Sequence, residues 1–181
     1  MEKIFRLMIF VQLLLSVCFG QTMSVDMNIN TSGIQDTLKI TTSDEEFFVE
    51  FIGTNLPSIS GYQFKIIFDN TKLEYLNIGQ ADDPMSGKNN ILKKNGGSIT
   101  GLFQKQTNPN CDSILDVAYT INGTADLSVS GTGLIGIAKF KSKLISGGST
   151  YIKIINGYIT NFNGVKTELS DYSIGLCKFD L

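Results

Sequence analysis

From about residue 21 onward, apolar and polar positions alternate over short runs instead of recurring every three or four residues. Tyr62, Phe64, Ile66 and Phe68 fall on one side of an extended chain, with Gln63, Lys65, Ile67 and Asp69 on the other. Leu134, Gly136, Ala138 and Phe140 oppose Ile135, Ile137, Lys139 and Lys141 in the same way. The aromatic-bearing set predicts the core face in each run, with Gly136 and Ala138 beneath a large neighbour from a facing sheet. Ile67, Ile135 and Ile137 are then left outside, where they predict an exposed apolar patch. Strands are expected at Val25–Asn30, Leu38–Thr42, Glu46–Gly53, Tyr62–Phe68 and Leu73–Ile78. Later ones are expected at Ser98–Lys105, Leu115–Ile121, Gly133–Lys143, Tyr151–Ile155 and Tyr172–Phe179. Turn signals lie between them at Asn55-Leu56-Pro57, Asp69-Asn70, Asn122-Gly123, Gly147-Gly148 and Asn163-Gly164. Many short strands at regular spacing predict one all-β domain, a sandwich or a barrel. The longest irregular stretch, Gly79–Gly97, is expected to be mobile or functional.

The first twenty residues have a different pattern. Lys3 and Arg6 precede an apolar run from Leu7 to Val17, and Cys18-Phe19-Gly20 places small residues before a cut at Gln21. The run is shorter than the roughly 20 apolar residues of a membrane span, so residues 1–20 read as a cleavable export signal and 21–181 as the domain. That reading makes the protein secreted, extracellular or held at the cell surface. Lipidation of Cys18 is the alternative, because Leu15-Ser16-Val17-Cys18 loosely resembles a bacterial lipobox. Cleavage leaves Cys111 and Cys177, an even count that permits one disulfide in an exported chain; two separate buried thiols are the other reading.

Charge narrows the partners. With 15 Lys+Arg against 17 Asp+Glu, and basic residues scattered apart from Lys93-Lys94, nothing points to nucleic acid or an anionic membrane. The chain has no His, which removes the commonest general base and most zinc and triad arrangements. Carboxylates that could form a hydrolytic pair are Asp44, Glu45, Glu46, Asp82, Asp83, Asp112 and Asp116, and solvated surface groups are the simpler reading of all of them. The chain therefore reads as non-catalytic, without a cofactor or a metal site of its own. Asn161-x-Asn163-Gly164 resembles the start of a calcium loop, yet the acidic first ligands are missing and Glu168 comes too early, so it reads as a turn. There is no Trp to stack sugars, although a stripe of Tyr119, Tyr151 and Tyr158 would suit a polysaccharide. Asn30-Thr31-Ser32 and Asn122-Gly123-Thr124 fit the glycosylation sequon and receive no role.

Two segments resemble the cohesin family. One runs from Phe47-Phe48-Val49-Glu50-Phe51, through Leu56-Pro57-Ser58-Ile59, to Gly61-Tyr62-Gln63-Phe64 with Phe68-Asp69, then Lys72-Leu73-Glu74-Tyr75-Leu76. The other is the glycine-led Ser130-Gly131-Thr132-Gly133-Leu134-Ile135-Gly136-Ile137-Ala138-Lys139-Phe140-Lys141. Ile154-Ile155-Asn156-Gly157 and Asn161-Phe162-Asn163-Gly164-Val165 match the family's closing loop and strand more loosely. The resemblance implies an antiparallel jelly-roll sandwich of about nine strands that docks a small helical dockerin module, the calcium being carried by that partner. The fold is shared with cellulose-binding modules, which keeps a carbohydrate ligand, or a structural adhesion role, as the alternative. Carried over by position, the docking residues are Gln63, Lys65 and Ile67, with Leu102, Phe103 and Lys166 supplying further contact. Gly61 and Gln63 stand where type I cohesins tend to have Asn and Asp, and Gly164 and Lys166 where they often have an apolar and an acidic residue. The sequence departs from the type I pattern at all four.

Overall fold

The computed structural model describes residues 20–106, 112–143 and 147–180. Twelve strands and one 3-10 turn account for nearly all regular structure there. In chain order they are β1 (Thr22–Asp26), β2 (Thr37–Ile40), β3 (Glu46–Ile59), β4 (Gly61–Asp69), β5 (Leu73–Tyr75) and β6 (Ile99–Gln106). The remainder are β7 (Asp112–Ile121), β8 (Val129–Ser142), β9 (Ser149–Thr160), β10 (Lys166–Glu168), β11 (Asp171–Tyr172) and β12 (Ile174–Phe179). The count exceeds the expected nine or so because short pieces such as β5, β10 and β11 pair separately.

The strands form two packed sheets, a β-sandwich. One has the order β11-β1-β3-β8-β5, and the other β2-β12-β9-β4-β7-β6 with β10 alongside β9. Pairing is antiparallel except for β1 with β11 and β2 with β12. Phe51 and Val49 of β3, Ala138 and Phe140 of β8, and Tyr62, Phe64, Ile66 and Phe68 of β4 are all buried between the sheets. Rings meet across the interior at 5.7 Å for Phe51 and Phe64 and 5.2 Å for Phe68 and Phe140. Full burial of each such ring contributes about 1.5–3 kcal/mol.

The expected runs all contain strands, with altered bounds. β1 ends at Asp26 because its carboxylate accepts the Asn28 and Gln35 backbone N–H groups (3.1 and 3.2 Å) and turns the chain. β3 continues through the expected turn at Asn55-Leu56-Pro57; its register against β8 slips on either side of Leu56, and Asn55 takes a positive φ of 52°. β9 runs on to Thr160 and is followed by β10, which was not expected.

One bulge overturns the predicted apolar patch. Phe51 pairs with Gly136 but Ile52 pairs with Leu134, so Ile135 is the extra residue and the alternation reverses there. Ile135 joins the core, and the chain beyond β5 pairs with the β8 edge beside Ile137, which is fully buried. Ile67 lies on the other sheet. Gly136 does sit against the facing sheet: a Cβ there would meet the Phe103 ring at 3.2 Å.

The stretch at 79–97 is held in place at several points. Just before it Leu76 N–H donates to the Lys139 carbonyl, and within it Gln80 exchanges both backbone bonds with Ile137, each at 3.0 Å. Asn90 is buried, caps the 3-10 turn Ile91–Lys93, and donates its amide to the Tyr62 hydroxyl and the Ala81 carbonyl. Tyr62 passes the chain on by donating to the Ile135 carbonyl at the bulge, 2.7 Å. Burial pushes the Tyr62 hydroxyl well above the usual tyrosine range.

Candidate docking face

The outer sides of the two sheets differ. On the five-stranded sheet, Glu50 points outward from β3 yet its side chain has no exposure, because the turn joining Asp83 to Lys88 reaches it. Lys88 donates to both Glu50 oxygens, 2.7 and 2.9 Å. Burial raises the Glu50 carboxyl above its ordinary value, and the Lys88 ammonium partly offsets this. Asp83 is held below its ordinary value despite its burial, by the Ser86 hydroxyl and the Met85 and Ser86 backbone N–H groups, with Glu50 as a further partner.

The seven-stranded sheet shows its outer side chains in cross-strand rows. Lys166, Thr160, Gly61, Thr120 and Thr100 form the first row, and Tyr158, Gln63, Ala118 and Leu102 the next. The following rows are Ile155, Lys65, Asp116 and Gln104, then Lys153, Ile67, Ile114 and Gln106. At the centre Lys65 Nζ lies 3.0 Å from Asp116 Oδ1, while the Gln106 amide donates to the other Asp116 oxygen. Ile67 lies opposite Ile114, with Ile155 on the neighbouring strand, and the three are half-buried. Toward the first row Leu102 is 44% exposed, and Lys166 Nζ sits 3.8 Å from the centre of the Tyr158 ring.

Five of the six expected contact residues thus share this face: Gln63, Lys65, Ile67, Leu102 and Lys166. Phe103 does not. It is the inward neighbour of Leu102 on β6, half-buried, with its ring 6.4 Å from Phe51 and 6.3 Å from Tyr75. Strand alternation forbids both residues from facing outward. Asp116, Ile114, Ile155 and Ala118 were missed. Alternation along β7 and β9 marks them as outward residues, but only strand order reveals that they adjoin β4.

The tyrosine stripe does not assemble. Tyr119 turns inward, 6.0 Å from Tyr62, and Tyr158 is overlaid by Lys166. Tyr151 is exposed and donates its hydroxyl to Asp112 at 3.3 Å. Several of the candidate carboxylates have other work: Asp44, Glu46, Asp82 and Asp116 pair with Lys141, Lys139, Lys93 and Lys65. Among the described residues no group of three or more His, Cys, Asp or Glu could hold a metal ion. Asn161 closes a turn, its side-chain oxygen accepting from Val165 N–H at 2.9 Å, and Gly164 there has a φ of 78°. Cys177 is a buried thiol whose pKa burial pushes up to about 12, and Cys111 lies outside the described residues, as does the N-terminal run with Cys18. Among the described residues no helix is long and apolar enough to cross a membrane.

The fold is cohesin-like. A cohesin of Acetivibrio cellulolyticus scaffoldin B, solved with the Cel5 dockerin, superposes with a TM-score of 0.58 at 14% identity, over 89% of this chain and 99% of that one. The OlpC cohesin of Clostridium thermocellum, solved with Doc435, gives 0.61 at 9% identity over 90% and 94%. The cohesin module of a Clostridium perfringens family 33 glycoside hydrolase gives 0.60 at 9% identity over 89% and 97%. No family model and no curated protein matches the sequence.

Proposed function

We propose that this chain is a non-catalytic extracellular binding domain that docks a calcium-loaded, dockerin-type helical module on the outer face of its seven-stranded sheet. One observation carries the reading. The chain's own 79–97 segment reaches over part of the five-stranded sheet, while the other sheet keeps half-buried isoleucines beside a satisfied Lys65–Asp116 pair and an exposed leucine. Such a mixture of apolar area and few fixed polar groups suits a protein interface. The solved cohesins that share the fold, two of them bound to dockerins, support the same partner. The polysaccharide alternative is weaker, because Tyr119 turns inward against Tyr62 and Tyr158 is overlaid by Lys166, so Tyr119, Tyr151 and Tyr158 present no common stripe. Calorimetric titration against a panel of dockerins of several types, with calcium and then with chelator, tests the proposal. Saturable, calcium-dependent heat with at least one dockerin is expected, and none across the panel refutes it.

A further inference from the structure

The docking face contains a hollow at its first two rows. On the outer side Gly61 and Ala118 carry little or no side chain, so the surface dips toward the backbone between β9, β4, β7 and β6. The depression has a volume of about 360 Å³; Leu102, Gln63 and Lys166 are among its walls, and threonines lie at one end. Its lining consists entirely of described residues, the outward ones joined beneath by Tyr62, Gly101 and Tyr119 from the inward positions of β4, β6 and β7. Lys166, on the rim, forms no ion pair among the described residues; its ammonium rests on Tyr158, with Glu168 two residues further along β10.

We propose that this hollow is the anchor pocket of the docking face, receiving one bulky apolar side chain of the partner with an acidic residue beside it. The inference rests on the docking reading and adds the chemistry of the group that is recognised. Interfaces draw most of their affinity from a few large side chains seated in desolvated pockets. A floor of glycine and alanine in a sheet otherwise covered by side chains provides such a seat. Lys166 sets the charge requirement: an acidic neighbour on the partner meets an available cation, whereas a basic one meets repulsion. Ile67 and Ile114, two rows away, would then take the rest of the partner's apolar stripe without setting its position.

The test uses two capped dipeptides, acetyl-Phe-Glu-amide and acetyl-Phe-Lys-amide, titrated into the isotopically labelled domain while amide resonances are followed. The acidic dipeptide is expected to shift Gly61, Gly101, Ala118 and Thr120 and to bind about threefold more tightly than the basic one, the scale of one exposed ion pair. Ala118→Leu, which fills the hollow, is expected to abolish the shifts, and Lys166→Glu to reverse the preference. No shift at those four residues, or equal binding of both dipeptides, overturns the proposal. The outcome separates from that of the dockerin panel. Pocket shifts with no dockerin bound refute the partner and spare the pocket, while a dockerin that binds Ala118→Leu as tightly as the native chain refutes the pocket alone.

Discussion

Leu102 and Phe103 are neighbours on one strand and offer a direct test of which way β6 faces. Phe103 lies against Phe51 and Tyr75 and closes over Gly136, where no side chain intervenes. Truncating a fully buried phenylalanine costs about 3–5 kcal/mol; Phe103 is only partly buried, so Phe103→Ala is expected to cost about 2–3 kcal/mol. For a domain of this size each kcal/mol moves the midpoint by about 2–4 °C, so Tm should fall by about 4–12 °C. Leu102 is 44% exposed, and Leu102→Ala should stay within about 0.5 kcal/mol of the native chain. The contrast reverses in binding, where Leu102→Ala should weaken any ligand of the outer face and Phe103→Ala should leave it nearly unchanged. Urea denaturation and calorimetry on both variants suffice. If Leu102→Ala destabilises as much as Phe103→Ala, β6 is in the opposite phase and the docking face has been misassigned.

Tyr62→Phe removes a hydroxyl that donates to the bulge carbonyl of Ile135 and accepts from Asn90; leaving both partners buried should cost about 1–3 kcal/mol, and a loss under about 0.5 kcal/mol in urea unfolding would show that the bulge does not depend on this bond. Glu50 titrates above its ordinary value in the fold, so the folded state holds its proton more tightly than the unfolded chain. Its contribution to stability is therefore full below the unfolded value near 4.5 and falls as pH rises through the folded one. Glu50→Gln should flatten that part of the stability–pH curve, and an unchanged slope would contradict the assignment. Asp83, held low, acts in the opposite sense, with stability lost as pH falls below the ordinary carboxylate range. Cys177, with its thiol near 12 and no exposure, should resist alkylation at pH 8 until the domain unfolds, as peptide mapping by mass spectrometry would show; modification in the native state would refute its burial.

Much of the sandwich was legible because strand alternation is a local signal. Tyr62, Phe64, Ile66 and Phe68 fall inward as their spacing predicts, and Gln63, Lys65 and Ile67 fall outward. Alternation fails where the pairing partner alters it. Nothing in Leu134-Ile135-Gly136-Ile137 announces a bulge; it shows only in the pairing of β8 with β3, where the Tyr62 hydroxyl donates to the carbonyl of the extra residue. The same limit applies to the site. The β4 residues could be named from the sequence, but Asp116 and Ile114 lie about 50 residues further along and join them only through the order β9-β4-β7-β6. Leu102 and Phe103 could not both face outward, and the strand's phase was settled by the space above Gly136.

The inequality of the two outer faces follows from what happens after β5. That strand is only three residues long, and the chain beyond it keeps pairing with the β8 edge through Leu76 and Gln80 before folding over the sheet. Lys88 is thereby brought to Glu50, a carboxylate that could not otherwise face outward from a covered strand without a large desolvation cost. The matching edge of the other sheet is β6, whose inward Phe103 closes the sandwich over Gly136 and whose outward Leu102 remains bare. On the open sheet the charged pair at the centre is satisfied within the sheet, since Asp116 engages Lys65 on one side and Gln106 on the other. A partner burying that pair need not supply a counter-charge, and specificity passes to the rim, where Lys166 stands without an ion pair among the described residues. Exchange of Lys166 for Glu should therefore change which partner binds more than exchange of Lys65 for Met changes how tightly. Affinities of both variants across one dockerin panel would show whether rim or centre governs choice.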